Sequence, residues 1–167
     1  MAVKKILLYP NPLLLETSSR IDNFDENVVS LSRDLIDTMY DADGVGLAAP
    51  QIGINKRIFV IDCSREGEKK DCRIVINPEI EHQSEELSPY KEGCLSIPGF
   101  NETIARPDKI ELIWQDISGK EHTDSPEGLL TVCIQHEIDH LDGKLMVDYV
   151  SALKRDRVRS KLLKEYS

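Results

Sequence analysis

The stretch Gln135-His136-Glu137-Ile138-Asp139-His140 lies within residues 129–141, a run that is otherwise apolar nearly all round. A helix of that composition belongs in a core. Four of its residues are ionisable all the same, and burying charge without a partner costs several kcal/mol or more. His136 and His140 are four positions apart, so on a helix their rings share one face, within reach of a single ion. Glu137 projects about 100° away around the axis. It then stands beside the ion rather than on it, placed to take a proton from a water there. Two histidines at this spacing, taken alone, read as satisfied core residues. With a glutamate between them on a buried helix, a metal site is the better reading.

Outward from this helix, Ser125-Pro126-Glu127 predicts its start: a hydroxyl N-cap, proline at the first position, and an acid facing the positive end of the dipole. Gly143 predicts its end. Between residues 25 and 40, Val28, Leu31, Leu35 and Met39 recur at spacings of three and four, an amphipathic helix capped by Asp25. Residues 43–53 hold three glycines and a proline and predict a close-packed loop without regular structure. Residues 57–63 and 72–78 are β-branched runs around a charged Glu66-Gly67-Glu68 turn, so they read as a hairpin. Residues 109–116, with Ile110, Leu112 and Trp114, read as a further strand of an antiparallel sheet. Ser151 caps a last helix with Leu153, Leu162 and Leu163 on one side and basic residues on the other. The expected fold is α+β: antiparallel or mixed sheets around a buried central metal-binding helix, with an additional C-terminal helix.

A chain of 167 residues suits one domain, 1–167, with one core. No apolar run approaches the ~20 residues that span a bilayer. The lysines and leucines at the start are interrupted by Pro10-Asn11-Pro12, and no small-residue cleavage site follows. The expectation is a cytoplasmic protein without membrane contact. A net charge of -9 argues against a general nucleic-acid binder and against specific DNA binding. The charge is uneven, however: residues 151–167 carry six basic side chains against two acidic ones, leaving 15 basic against 28 acidic in residues 1–150. Four cysteines without paired spacing predict no bridges in a reducing compartment. Cys63, Cys72 and Cys133 read as small buried hydrophobes.

A helix supplies two ligands, whereas a catalytic zinc-like site takes three and keeps one position open. No histidine follows His140, and His82 and His122 lie in polar segments that read as exposed. The third candidate is Cys94, in the extended segment Glu92-Gly93-Cys94-Leu95-Ser96-Ile97-Pro98-Gly99, whose exit Pro98 fixes. One thiolate with two imidazoles suits Zn²⁺ or Fe²⁺. The loop 43–53 presents Gln51 and lacks the Gly-Lys-Ser/Thr of a phosphate-binding loop.

Taken together, Gly44-x-Gly46-x-Ala48-Ala49-x-Gln51, Glu92-Gly93-Cys94-Leu95-Ser96 and Gln135-His136-Glu137-x-Asp139-His140-Leu141-x-Gly143 resemble the peptide deformylase family, in the family's order and at a similar chain length. The resemblance implies that Cys94, His136 and His140 hold one divalent metal ion. Fe²⁺ is the common one in that family, with Zn²⁺, Ni²⁺ and Co²⁺ tolerated. It further implies that Glu137 takes a proton from water and later returns it to the departing amine. The Gln51 side-chain amide and the Leu95 backbone N–H would receive the oxyanion. The implied substrate is the N-formyl-methionyl end of a new polypeptide, hydrolysed to formate and a free amine. Val45, Gly46, Glu92, Gly93, Leu129, Val132 and Cys133 are expected to form the methionine pocket. Asn101 stands where many members carry an arginine, and Arg106 stands in the place of a second one. Both bear on how the peptide backbone is gripped.

Two other classes are weighed against this. An endopeptidase of the H-E-x-x-H kind is disfavoured by the cysteine ligand. A non-catalytic, ribosome-associated metal-binding paralogue is disfavoured because every residue the chemistry needs is present. The resemblance also implies that the basic helix 151–167 docks on ribosomal RNA, against the plainer reading of a solvated helix face. The expected oligomeric state is a monomer.

Overall fold

The computed structural model describes residues 2–166. Helix α1 (Glu26–Asp41) begins where the sequence asks: the Asp25 side chain accepts the N–H of Asn27 at 3.0 Å and that of Val28 at 3.4 Å. A five-stranded sheet runs in the order β1 (Gly46–Ala48), β2 (Ile58–Ile61), β3 (Arg73–Gln83), β6 (Ile110–Gln115), β7 (Glu121–Asp124). A separate two-stranded ribbon pairs β4 (Leu87–Gly93) with β5 (Asn101–Pro107). Every pairing among these strands is antiparallel.

Strand β2 shows how the sheet is covered. Its four residues are all buried. Ile58 and Val60 face α1, packing with Leu35 and Met39. Phe59 and Ile61 face the other way, onto Ile134, Ile138 and Leu141 of α2 (Leu129–Leu141). A strand covered on both faces reads as a continuous apolar run rather than an alternation. Each such side chain, fully buried, stabilises the fold by roughly 1.5–3 kcal/mol. Helix α2 is thus the central buried helix that the sequence predicts.

Its start differs from the expectation. The residue before the first turn is Gly128, at φ 62° and ψ -138°, and no side chain caps it. That backbone conformation suits only glycine. Ser125 and Pro126 therefore belong to the approach, and Leu129, 51% exposed, stands at the helix mouth.

Other elements also depart from the sequence reading. The 43–53 segment contains β1 and a 3-10 turn, Ala49–Ile52. Strand β3 continues beyond Pro78 because Asn77, at φ 49°, forms an irregularity between Ile76 and Glu79, where no ladder N–H is required of the proline. Strands β4, β5 and β7 carry no sequence signal because they are short or largely exposed, so no apolar alternation marks them.

Helix α3 (Ala152–Tyr166) is capped by Ser151, whose hydroxyl accepts the Lys154 N–H at 3.2 Å. Its inward stripe is Val158 and Leu162, which pack against Tyr9, Ile97, Met146 and Val147. Leu153 (63% exposed) and Leu163 (42%) are not part of that stripe. They point away from the line set by positions four apart. Among the described residues no helix is long and apolar enough to cross a membrane.

Candidate active site

Three segments converge on a cavity of about 520 Å³: the loop between α1 and β2, the connection from β4 to β5, and α2. Val45, Gly46, Gln51, Glu92, Gly93, Cys94, Leu95, Leu129, Val132, Cys133, His136 and Glu137 line it. His140, fully buried, lies behind them. Val45 and Leu129 form an exposed apolar lip.

On the floor, Cys94, His136 and His140 each offer one ligand atom, and the three atoms lie within 4.8 Å of one another. Cys94 Sγ is 3.3 Å from His140 Nε2. His140 Nδ1 and Glu137 Oε2 are buried without a hydrogen-bond partner among the described residues. Burial, with the charges of His136 and Arg106, pushes His140 well below its ordinary pKa, so its imidazole is neutral as a metal ligand must be. Burial alone would also lower His136. Its hydrogen bonds to Cys94 and Glu92, with the nearby Glu137, outweigh that and raise it instead. These groups demand a positive charge at this spot, and a divalent cation would supply it. One thiolate and two imidazoles are moreover a donor set suited to zinc or iron. The residues present fit a metal ion.

Glu137 sits beside this triad, its Oε1 3.9 Å from His136 Nε2. Burial pushes its carboxyl up to about 7. Gly46 explains how so buried a carboxylate is accommodated: a Cβ there would lie 3.0 Å from Glu137 Cδ and Oε1. Gln51 is oriented without ambiguity. The Ala48 N–H can only donate, and it reaches Gln51 Oε1 at 2.9 Å. The Gln51 amide nitrogen therefore faces the site, donating to Ser96 Oγ at 3.0 Å and weakly to Cys94 Sγ at 3.8 Å.

The family model described as polypeptide deformylase matches residues 3–156. The chain belongs to the polypeptide deformylase family. It is 49% identical over 166 residues to the peptide deformylase of Azotobacter vinelandii, covering 99% of this chain and 98% of that protein. The solved peptide deformylase of Legionella pneumophila superposes with a TM-score of 0.90 at 46% identity, over 98% of this chain and 95% of that one. The Ehrlichia chaffeensis peptide deformylase, solved in complex with actinonin, superposes with a TM-score of 0.93 at 37% identity and full coverage of both chains. Membership makes this chain an enzyme, a hydrolase of a metal-dependent family.

Part of the deformylase site is not legible in the sequence. Arg106 is buried, and its guanidinium is taken up by protein partners: Nε and Nη2 meet Glu92 at 2.7 and 3.0 Å, and Nη1 meets Asp139 Oδ2 at 2.8 Å. The Tyr149 hydroxyl donates to the same Asp139 oxygen at 2.6 Å. Glu92 lines the cavity, yet its carboxylate is committed to Arg106 and to His136 Nδ1. Asn101 packs on Gly93, where a Cβ would meet its Oδ1 at 2.9 Å. On β5, Ile104 and Arg106 both face inward, an alternation of burial that the folded chain shows and the residue types do not announce.

The remaining histidines and cysteines need small corrections. His82 is exposed as expected, but His122 is half-buried, stacked on Trp114 at 4.5 Å and bonded to Asp116 at 2.7 Å. Cys63, Cys72 and Cys133 are free and half-buried rather than core residues, because each stands at the edge of its packing cluster.

Proposed function

We propose that this enzyme removes the N-formyl group from the formyl-methionine at the start of newly made polypeptides, releasing formate. The observation that carries this reading is the Cys94, His136, His140 cluster, its three ligand atoms within 4.8 Å, on the floor of a small apolar-lipped cavity beside Glu137. Those three residues would hold one divalent ion, Fe²⁺ in the cell, which supplies Lewis-acid polarisation of the carbonyl and acidifies water. Zn²⁺, Ni²⁺ or Co²⁺ would serve in purified protein.

Glu137 then acts as the base. With its carboxyl pushed up to about 7 by burial, it is matched to accepting a proton near neutral pH and giving it back to the departing amine nitrogen. The Gln51 amide has its carbonyl tied down by Ala48 and one N–H spent on Ser96, leaving the other for the developing formyl oxyanion. The Leu95 backbone N–H is the second donor in this reading. Fixed donors of this kind contribute most in a site from which water is excluded. The methionine side chain would occupy the part of the cavity walled by Val45, Gly46, Gly93, Leu129, Val132 and Cys133, with Glu92 holding His136 from behind.

The chain would work as a single-domain cytoplasmic monomer near the ribosome, with the basic face of α3 toward ribosomal RNA. The deciding assay is formate release from formyl-Met-Ala-Ser by metal-loaded protein. No formate would end the reading. Cleavage of internal bonds in unformylated peptides would favour a metallo-endopeptidase. Ribosome binding with neither activity would favour a non-catalytic paralogue.

A further inference from the structure

Two sulfurs that the proposed reaction does not use as nucleophiles meet beside the cavity. Phe59 and Ile61 of β2 face α2, and Cys63, two residues on, keeps that side. Asp62 between them turns the other way, to accept the Tyr40 hydroxyl at 2.6 Å. On α2, Cys133 packs on the same cluster of Phe59, Ile61, Ile134 and Ile138. The two thiols act on each other directly, each being the first influence on the other's titration. Each also has its own opening. Cys133 lines the substrate cavity, and Cys63 lines a second hollow of about 400 Å³ with Ser64, Lys69, Asp71 and Arg73.

We propose that Cys63 and Cys133 are a redox-active dithiol, closed to a disulfide by hydrogen peroxide that enters through the Cys63 hollow. The neighbouring Cys133 thiol, aided by Arg73, holds the Cys63 thiol below the usual range, while Cys63 and burial push Cys133 up. Cys63, which opens on the hollow beside Lys69 and Arg73, is the sulfur that attacks first, as its thiolate is the nucleophile that entering peroxide meets. Its attack breaks the O–O bond, leaves a sulfenic acid on Cys63, and releases one water that carries away the thiol proton. The Cys133 sulfur then displaces the sulfenic hydroxyl, which departs with the Cys133 proton as a second water, and the S–S bond forms. Two thiols have lost two electrons to one peroxide.

The bridge ties the end of β2 to the helix that carries His136 and Glu137. It also removes a thiol from the wall of the substrate cavity. Turnover of formylated peptide should fall until a dithiol reductant reopens the pair. That consequence rests on the deformylase reading; the bridge itself does not.

The four cysteines fall in four separate tryptic peptides, 58–65, 71–73, 92–109 and 121–144, so the test is direct. Full-length protein loaded with Zn²⁺, which cannot itself be oxidised here, is treated with one equivalent of hydrogen peroxide, alkylated with iodoacetamide and digested. The expected product is peptide 58–65 linked to peptide 121–144, with loss of two titratable thiols. In parallel, kcat/KM on formyl-Met-Ala-Ser falls severalfold, and dithiothreitol restores it. Cys63→Ser should keep the reduced protein's activity and abolish the reversible fall. Separate alkylation of Cys63 and Cys133, with oxidation confined to peptide 92–109, would overturn the proposal. So would a linked pair that leaves kcat/KM unchanged in protein shown to release formate.

Discussion

Arg106 clasps Glu92 with two parallel hydrogen bonds, Nε to Oε2 at 2.7 Å and Nη2 to Oε1 at 3.0 Å, with both side chains almost fully buried. Burial alone would raise the Glu92 carboxyl. The bonds from His136 and Arg106 outweigh it and keep the group ionised. An ionised carboxylate can only accept, so His136 Nδ1, 3.0 Å from Glu92 Oε1, carries a proton and leaves Nε2 free for the ion.

Removing the clasp leaves a buried carboxylate without its partner, which costs about 3–5 kcal/mol. Arg106→Met should therefore lower the urea midpoint of metal-loaded protein sharply. Without the carboxylate's support, metal retention should also weaken by roughly 10–100-fold in a chelator competition. Arg106→Lys keeps the charge but not the fork, and should fall between the two. Wild-type metal affinity in Arg106→Met would show that the clasp does not orient His136.

Glu137→Gln separates chemistry from folding. Glu137 Oε2 is buried without a hydrogen-bond partner, and the neutral amide has nearly the same shape. Thermal stability of the loaded protein should be unchanged or slightly higher, and bound metal should remain stoichiometric. Formate release should fall by about 10²–10⁴-fold, the usual contribution of a positioned base. Substantial activity in this variant would move the base elsewhere.

These sites are unequally visible in the sequence, for physical reasons. The ligand pair on α2 is legible because a helix converts a spacing of four into one face, and because ionisable residues on a buried helix demand a purpose. Cys94 is reachable only by asking for a third ligand. Arg106, Asp139 and Tyr149 come from β5, α2 and the turn after it, and only folding brings their side chains within 3.4 Å of one another. The β4–β5 ribbon is silent because its residues face solvent along most of their length, so selection for apolar alternation is absent there. The start of α2 misleads because Ser125-Pro126 carries every N-terminal signal, whereas the turn is made by a glycine at positive φ.

Gly46→Ala tests the fit between the loop and the base. The added Cβ would stand 3.0 Å from Glu137 Cδ and Oε1 and 3.1 Å from Cγ, so the carboxylate must give way by a few tenths of an ångström. Overpacking of this kind costs about 1–3 kcal/mol. Because small misplacements near the chemistry are expensive, kcat should drop by about tenfold or more. Measured kcat and urea stability together decide: an unchanged kcat would mean that Glu137 is not held by this contact.

Asp62 supplies a pH signature away from the site. It accepts the Tyr40 hydroxyl at 2.6 Å and the Ser64 N–H at 2.9 Å. Burial by itself would raise this carboxyl, but the bonds from Ser64 and Tyr40 outweigh it and hold it at about 2. An unfolded aspartate titrates near ~3.9. The folded value is the lower one, so the stabilisation is fully present above about pH 4 and is lost as pH falls toward 2. Asp62→Asn should therefore lower stability at pH 7, and its deficit against wild type should shrink between about pH 4 and 2. Urea unfolding across that range measures the deficit, and a deficit independent of pH would contradict the assignment.

The basic face of α3 can be tested without disturbing the fold. Deleting 151–167 would also take Leu162 out of the core, confusing loss of binding with loss of structure. Arg157, Lys161 and Lys164 are exposed, and their spacings of four and three place them on one stripe away from Val158 and Leu162. Changing all three to glutamine should leave stability within about 0.5 kcal/mol per site, as for ordinary surface substitutions. Activity on a free formylated peptide should be unchanged. If this stripe meets ribosomal RNA, affinity for ribosomes must fall, and the slope of log K against log salt should become shallower by about 2–3, roughly one for each phosphate that is no longer neutralised. Ribosome affinity and salt slope matching the wild type would leave α3 as a solvated helix that braces the core around Tyr9, Ile97 and Met146.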